Sequence, residues 1–104
     1  MATFEIKDGV AIIPEGTTEI GYSAFEGCTS LTSITIPDGV TSIECGIFLG
    51  CTSLTSITLP NNINNIQVSA FGNCTNLSSI KIPDSVTSIG DWVFSGCTSL
   101  TSIV

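Results

Sequence analysis

The sequence predicts an α/β solenoid, one domain of short stacked coils. It would carry a parallel sheet on one face, short helical turns on the other, and a β-hairpin cap at the N-terminus. Three observations carry that expectation. The phrase GCTSLTSI stands at 27–34, 50–57 and 96–103, with a variant, NCTNLSSI, at 73–80. Pro14, Pro37, Pro60 and Pro83 follow one another at 23 residues, and so do Phe25, Phe48, Phe71 and Phe94, without insertion or deletion. The same spacing holds Cys28, Cys51, Cys74 and Cys97, then Leu31, Leu54, Leu77 and Leu100, then Ile34, Ile57, Ile80 and Ile103. A single coil has two open sides, so only neighbours of equal length bury its apolar residues.

Residues 1–13 are expected to form the cap, and residues 14–36, 37–59, 60–82 and 83–104 the four repeats. In the cap, FEIKDGVAI alternates apolar and polar residues around KDG, a three-residue hairpin loop with Gly9 free to turn left-handed. Counting back 23 from Ile34 and Ile36 reaches Ala11 and Ile13, which makes residues 10–13 the first strand of the parallel sheet. Phe4 and Ile6 would cover the first coil, while Glu5 and Lys7 blunt the sheet edge.

One coil reads as follows. LTSITI (31–36) alternates, with Leu31, Ile34 and Ile36 inward and Ser33 and Thr35 outward. Pro37 ends that strand because it lacks a donor, and PDG turns the chain. VTSI (40–43) is a second extended piece with Val40 and Ile43 inward. Ile43, Ile47 and Cys51 then recur at i, i+4, i+8, the stripe of a short helix, and Ile20/Ala24/Cys28, Ile66/Ala70/Cys74 and Ile89/Val93/Cys97 repeat it. Gly27, Gly50, Asn73 and Gly96 precede the cysteines, and Gly and Asn are the residues that best accept the positive φ of a helix C-cap.

Composition narrows the function. The 104-residue chain is 42% apolar and 11% charged, with a net charge of −7. It is too apolar to be disordered, and no apolar run reaches the ~18 residues of a membrane span. Lys7 and Lys81 are the only cations, so the clustered Lys and Arg that replace phosphate counterions are missing, and nucleic acid is excluded as a partner. MATFEIKDGV has neither the basic region nor the apolar stretch of a signal peptide. The chain contains no His and no Arg, hence no ordinary general base near neutral pH and no bidentate anion clamp. An enzyme is not expected, nor any cofactor.

Four constellations compete with plainer structural roles. The cysteine column lacks the close C-x-x-C pairs or His partners of a zinc site, and its side chains run parallel, so buried free thiols are expected. Cys45 stands apart, in a column with Tyr22, Val68 and Asp91; exposed, its thiol would link two chains, but an incidental, partly buried thiol is expected. Glu15, Asp38 and Asp84 follow the prolines, but Asn61 interrupts the series, which favours plain turns over Ca²⁺. Asn73-Cys74-Thr75 and Asn76-Leu77-Ser78 fit the glycosylation sequon, a match that a Ser/Thr/Asn-rich chain produces freely. The outward sheet face offers Ser33, Thr35, Ser56, Thr58, Ser79 and Lys81 as candidate binding residues. Such a hydroxyl grid fits polar partners, either protein or glycan. Regular grids also suggest ice, against which Lys81 counts, and Ser and Thr suit any solvated strand.

The string I-P-x-x-V-T-S-I-x-x-x-x-F-x-x-C-T-S-L-T-S-I, clearest in 82–103, resembles the BspA-like subfamily of leucine-rich repeat proteins, and the period of 23 lies within the leucine-rich range. The resemblance spans roughly residues 10–104. It implies a secreted or cell-surface protein with an adhesive role, and its motif contains no catalytic residue to carry over. The expected function is therefore a non-enzymatic binding or adhesion module. The alternative is a structural, self-assembling unit or a fragment of a longer array. In that reading the uncharged edge Ser102, Ile103 and Val104 pairs with another copy as a homodimer.

Overall fold

A computed structural model describes residues 5–103. Strands β1 (Glu5–Lys7) and β2 (Val10–Ile12) form an antiparallel hairpin with Lys7 opposite Val10. Its loop is the two residues Asp8 and Gly9, at φ 51° and 83°, one fewer than KDG led us to expect. Left-handed backbone at both positions is the two-residue turn whose twist matches the right-handed twist of the flanking strands, so Lys7 joins the ladder instead of the loop. Ile6 packs against the core, and Glu5 and Lys7 are exposed. Phe4, the other residue assigned to the cap, lies outside the described residues.

Strand β2 pairs in parallel with β3 (Ser33–Thr35), which pairs with β5 (Ser56–Thr58). Each residue faces its counterpart 23 positions on, as with Val10 and Ser33, or Thr35 and Thr58. Beyond β5 the ladder is interrupted: β7 (Ser79–Ile80) and β9 (Ser102–Ile103) form a separate parallel pair. The break falls at a change in side chain. Thr32 gives both its N–H and its Oγ1 to the Gly9 carbonyl, at 2.7 and 3.0 Å. Thr55 holds the Thr32 carbonyl likewise (3.0 and 3.3 Å), and Thr101 holds that of Ser78 (3.0 and 3.3 Å). In the third coil Ser78 takes the threonine's place, and among the described residues it makes neither bond to Thr55. A serine lacks the β-branch that pre-sets χ1 for such a double bond.

The second face is a three-stranded parallel sheet of β4 (Ser42–Ile43), β6 (Asn65–Ile66) and β8 (Ser88–Ile89). Val40 and Ile43 are buried beneath it, as VTSI predicts.

The third side corrects the expected helical turns, because no helix forms among the described residues. Only alternate N–H groups bond within the coil: Ala24, Glu26 and Cys28 donate to Gly21, Ser23 and Phe25, at 3.2, 3.1 and 3.0 Å. The N–H groups between them cross to the next coil, where Ser23, Phe25 and Gly27 donate to Cys45, Ile47 and Leu49, at 3.0, 3.0 and 2.7 Å. Gly46, Phe48 and Gly50, then Ser69, Phe71 and Asn73, repeat the crossing. A helix would keep all these donors inside one coil and leave the neighbours unbonded. Left-handed residues every fourth position make the alternation possible. Gly27, Gly50, Asn73 and Gly96 are left-handed as expected (φ 70°, 77°, 56° and 76°), but they close a chain of turns. A second left-handed column, Ser23, Gly46, Ser69 and Trp92 at φ 59°, 63°, 58° and 63°, went unread in the sequence. The i, i+4, i+8 burial of Ile43, Ile47 and Cys51 is real, and this four-residue turn period produces it.

Inside, identical residues stack. The Phe25, Phe48, Phe71 and Phe94 rings lie nearly parallel, with centroids 5.7, 5.4 and 5.8 Å apart. Among the described residues no polar or charged residue is buried, and no buried side-chain N or O atom lacks a partner.

Candidate binding face

Because Ile34 and Ile80 point inward, their strand neighbours point out. Thr35, Ser56, Thr58, Ser79 and Lys81 are exposed and Ser33 is half-buried. Register fixes the rows: Ser33 stands beside Ser56, Thr35 beside Thr58, and Ser79 beside Ser102. All the candidate residues thus share one face, although the interrupted ladder divides it between β5 and β7. Lys81 borders a recess with Thr58, Leu59 and Asn61. At the opposite end the rows continue into the hairpin, where Val10 and Ile12 replace Ser and Thr, 40% and 50% exposed. Sequence reading missed this apolar end. The signal was available in Val10-Ala11-Ile12, since alternation with Ala11 inward leaves the larger residues outside.

At the far edge, Ile103 is 53% exposed and Ile89 51%, whereas Ile34 and Ile66 in the same columns are 2% and 1%. Ser102 is exposed beside Ile103, and Val104 lies outside the described residues. The N–H groups of Trp92, Phe94 and Gly96, whose counterparts in inner coils cross to the next coil, make no such bond among the described residues.

The cysteine column is built for packing. Cys51 and Cys74 are buried, and each thiol donates to a carbonyl of the preceding coil: Cys51 to Phe25 at 3.0 Å, Cys74 to Phe48 at 3.1 Å and Cys97 to Phe71 at 3.1 Å. Burial pushes the Cys51 and Cys74 thiols up to about 12, neighbouring thiols add to the rise, and a backbone hydrogen bond opposes it. Such thiols are poor nucleophiles and poor metal ligands. Half-buried Cys45 gives its hydrogen to Gln67 Oε1 at 3.1 Å. The Gln67 amide bonds Ser42, which also bonds Asn65, so the second sheet carries a polar network at its surface. Among the described residues no cluster of three or more Cys, Asp or Glu is arranged to hold a metal ion, and no helix is long and apolar enough to cross a membrane.

The profile of the BspA type leucine rich repeat region, in six copies, matches residues 6–104. The chain belongs to the BspA-type leucine-rich repeat family. Solved structures agree with this membership. A leucine-rich cell surface protein from Faecalibacterium prausnitzii is 43% identical with a TM-score of 0.82, over 86% of this chain and 23% of that one. The pneumococcal vaccine antigen PcpA is 27% identical with a TM-score of 0.87, over 92% of this chain and 24% of that one. A leucine-rich repeat protein from Bacteroides capillosus is 32% identical with a TM-score of 0.78, over 96% of this chain and 90% of that one. No curated protein matches significantly. This BspA-type chain therefore spans about a quarter of the cell surface protein. The likeness makes it a repeat protein with cell-surface neighbours.

Proposed function

We propose that the chain is a non-enzymatic binding module of a cell-surface or secreted protein, engaging protein or glycan partners through the outward face of its first sheet. One observation carries the reading: exposed side chains of one face, in register as Ser33 beside Ser56 and Thr35 beside Thr58 on one part and Ser79 beside Ser102 on the other, over a core of identical stacked residues. A rigid strand face orders few side chains on binding, which keeps the entropic cost of association low. The face is only about 20 Å wide, narrow for the ~800 Å² per partner of a standard interface, so a single copy binds weakly. Glycan arrays and immobilised extracellular-matrix glycoproteins provide the test. The double variant Thr58→Glu/Lys81→Glu should lose at least about tenfold of the binding to whichever surface captures the parent chain. Unchanged binding by that variant removes the sheet face from the proposal.

A second reading, self-association through Ser102, Ile103 and Val104, is favoured by the exposure of Ile103 and Ile89 and the uncrossed donors of Trp92, Phe94 and Gly96. A second copy laid on this edge, or a further coil of a longer array, would satisfy those donors and bury the isoleucines. Light scattering across protein concentration, with and without reductant, decides it. A dimer that survives reductant supports the edge, a dimer lost in reductant implicates Cys45, and a monomer throughout overturns self-association.

A further inference from the structure

The first sheet changes character at its N-terminal end in a way that packing alone would not select. Ala11 is 5% exposed and turned inward, while Val10 and Ile12 flank it on the outer face. Burial by itself favours the reverse, with the larger side chains inside. Val10, Ile12, Ile13 and Pro37 line an open cleft of about 710 Å³, and the turn tips bearing Glu15 and Asp38 form its rim.

Those two carboxylates occupy the same position in successive coils. Their turns pack closely, since a Cβ added at Gly39 would lie 2.9 Å from the Thr17 carbonyl oxygen. Thr17 holds the first turn in shape through its N–H (3.2 Å) and Oγ1 (2.7 Å), both donated to the Pro14 carbonyl. Glu5, opposite Ile12, adds a third acid at the same end. Lys7 stands opposite Val10, beside Asp8, at the other end of the hairpin, and among the described residues no cation lines the cleft. In the third coil the turn position is Asn61, and in the fourth it is Asp84, three residues after Lys81. Negative charge and exposed apolar surface therefore coincide in one place.

We propose that this cleft docks an extended, basic segment of a protein partner, in which a Lys or Arg stands beside an aliphatic or aromatic residue. The cation meets Glu15 and Asp38, and the apolar side chain covers Val10 and Ile12. The inference rests on the first sheet being a binding face and specifies the partner's chemistry at one end of it. Neither group suffices alone: the carboxylates are solvated and the apolar pair is small, so recognition requires both on adjacent residues.

The test is an NMR titration of the ¹⁵N-labelled chain at low salt with the peptide acetyl-GKLKG-amide, using acetyl-GELEG-amide as its acidic control. The basic peptide should shift the amides of residues 10–16 and 35–39, and the acidic one should not. Glu15→Gln/Asp38→Asn should weaken binding about fivefold, as loss of two exposed charge contacts predicts, while Asp84→Asn/Asp91→Asn, with the same change in net charge, leaves it intact. Ile12→Ser should weaken it as well, and the spectra themselves report whether each variant is folded. Absence of shifts, shifts centred on Lys81, or undiminished binding by the Glu15→Gln/Asp38→Asn chain would each overturn the inference. None of these outcomes touches the sheet-face reading, which fails only if Thr58→Glu/Lys81→Glu retains its array ligand.

Discussion

Cys51 and Cys74 are each buried between the cysteines of the coils before and after them, with the thiol hydrogen on a phenylalanine carbonyl. Folding raises both thiols from an ordinary 9.0 to about 12, so between these values the unfolded chain releases protons that the folded chain retains. The unfolded state then binds fewer protons, and stability falls with rising pH. This contribution is fully present below pH 9 and is lost as pH climbs towards 12, which denaturant melts at pH 8, 9 and 10 will register as a declining midpoint. Trp92 carries a different kind of cost. It is 71% exposed and sits at φ 63°, in a column whose other members are Ser and Gly. A left-handed conformation strains a non-glycine residue by roughly 1–2 kcal/mol. Trp92→Gly should recover about 1 kcal/mol of this, seen as a rise of ~4–8 °C in the melting temperature.

Among the elements, the chain of turns and the threonine double bond show how one coil is tied to the next. Turn segments here do the work of a sheet, sending every second N–H across to the neighbouring coil. On the first face the tie is Thr32, Thr55 and Thr101, and the ladder stops where Ser78 interrupts the series. Ser78→Thr should restore the bond to the Thr55 carbonyl and add about 0.5–1 kcal/mol, the ordinary net worth of one hydrogen bond. Amide exchange at residues 78–81 should slow in that variant, and unchanged exchange would dissociate the break from the side chain. The hairpin depends on Gly9 in the same local way. A Cβ there meets Thr32 Oγ1 at 2.5 Å and φ is 83°, so Gly9→Ala should cost at least about 1 kcal/mol, measurable by denaturant melts, and loosen the cap before the coils.

For the whole molecule, stability belongs to the stack, since each coil is completed by its neighbours. Phe48 lies between two stacked rings and is fully buried, whereas Phe94, among the described residues, stacks on one ring and is half-buried. Phe48→Ala should cost about 3–5 kcal/mol and unfold all coils together. Phe94→Ala should cost clearly less and melt the last coil first, a contrast that equilibrium melts combined with amide exchange will expose. A net charge of −7 with two lysines keeps such an assembly soluble while leaving its few cationic points distinctive.

Much of this architecture was legible in the chain itself. A fixed period of 23 dictates matched coils, alternation in LTSITI dictates which residues face inward, and the glycine column dictates left-handed backbone. These are local or strictly repeating constraints, and repetition makes each one visible four times. Two features were settled only by tertiary structure. The i, i+4, i+8 stripe fits a helix and a four-residue chain of turns equally well, and the choice depends on whether a neighbouring coil offers carbonyls to the alternate N–H groups. The cleft beside Val10 and Ile12 likewise arises from hairpin and first turns meeting across the register of β2 and β3, a juxtaposition that no single stretch of sequence contains. Periodicity specifies what each coil repeats, and contact between coils decides where its hydrogen bonds and exposed surfaces go.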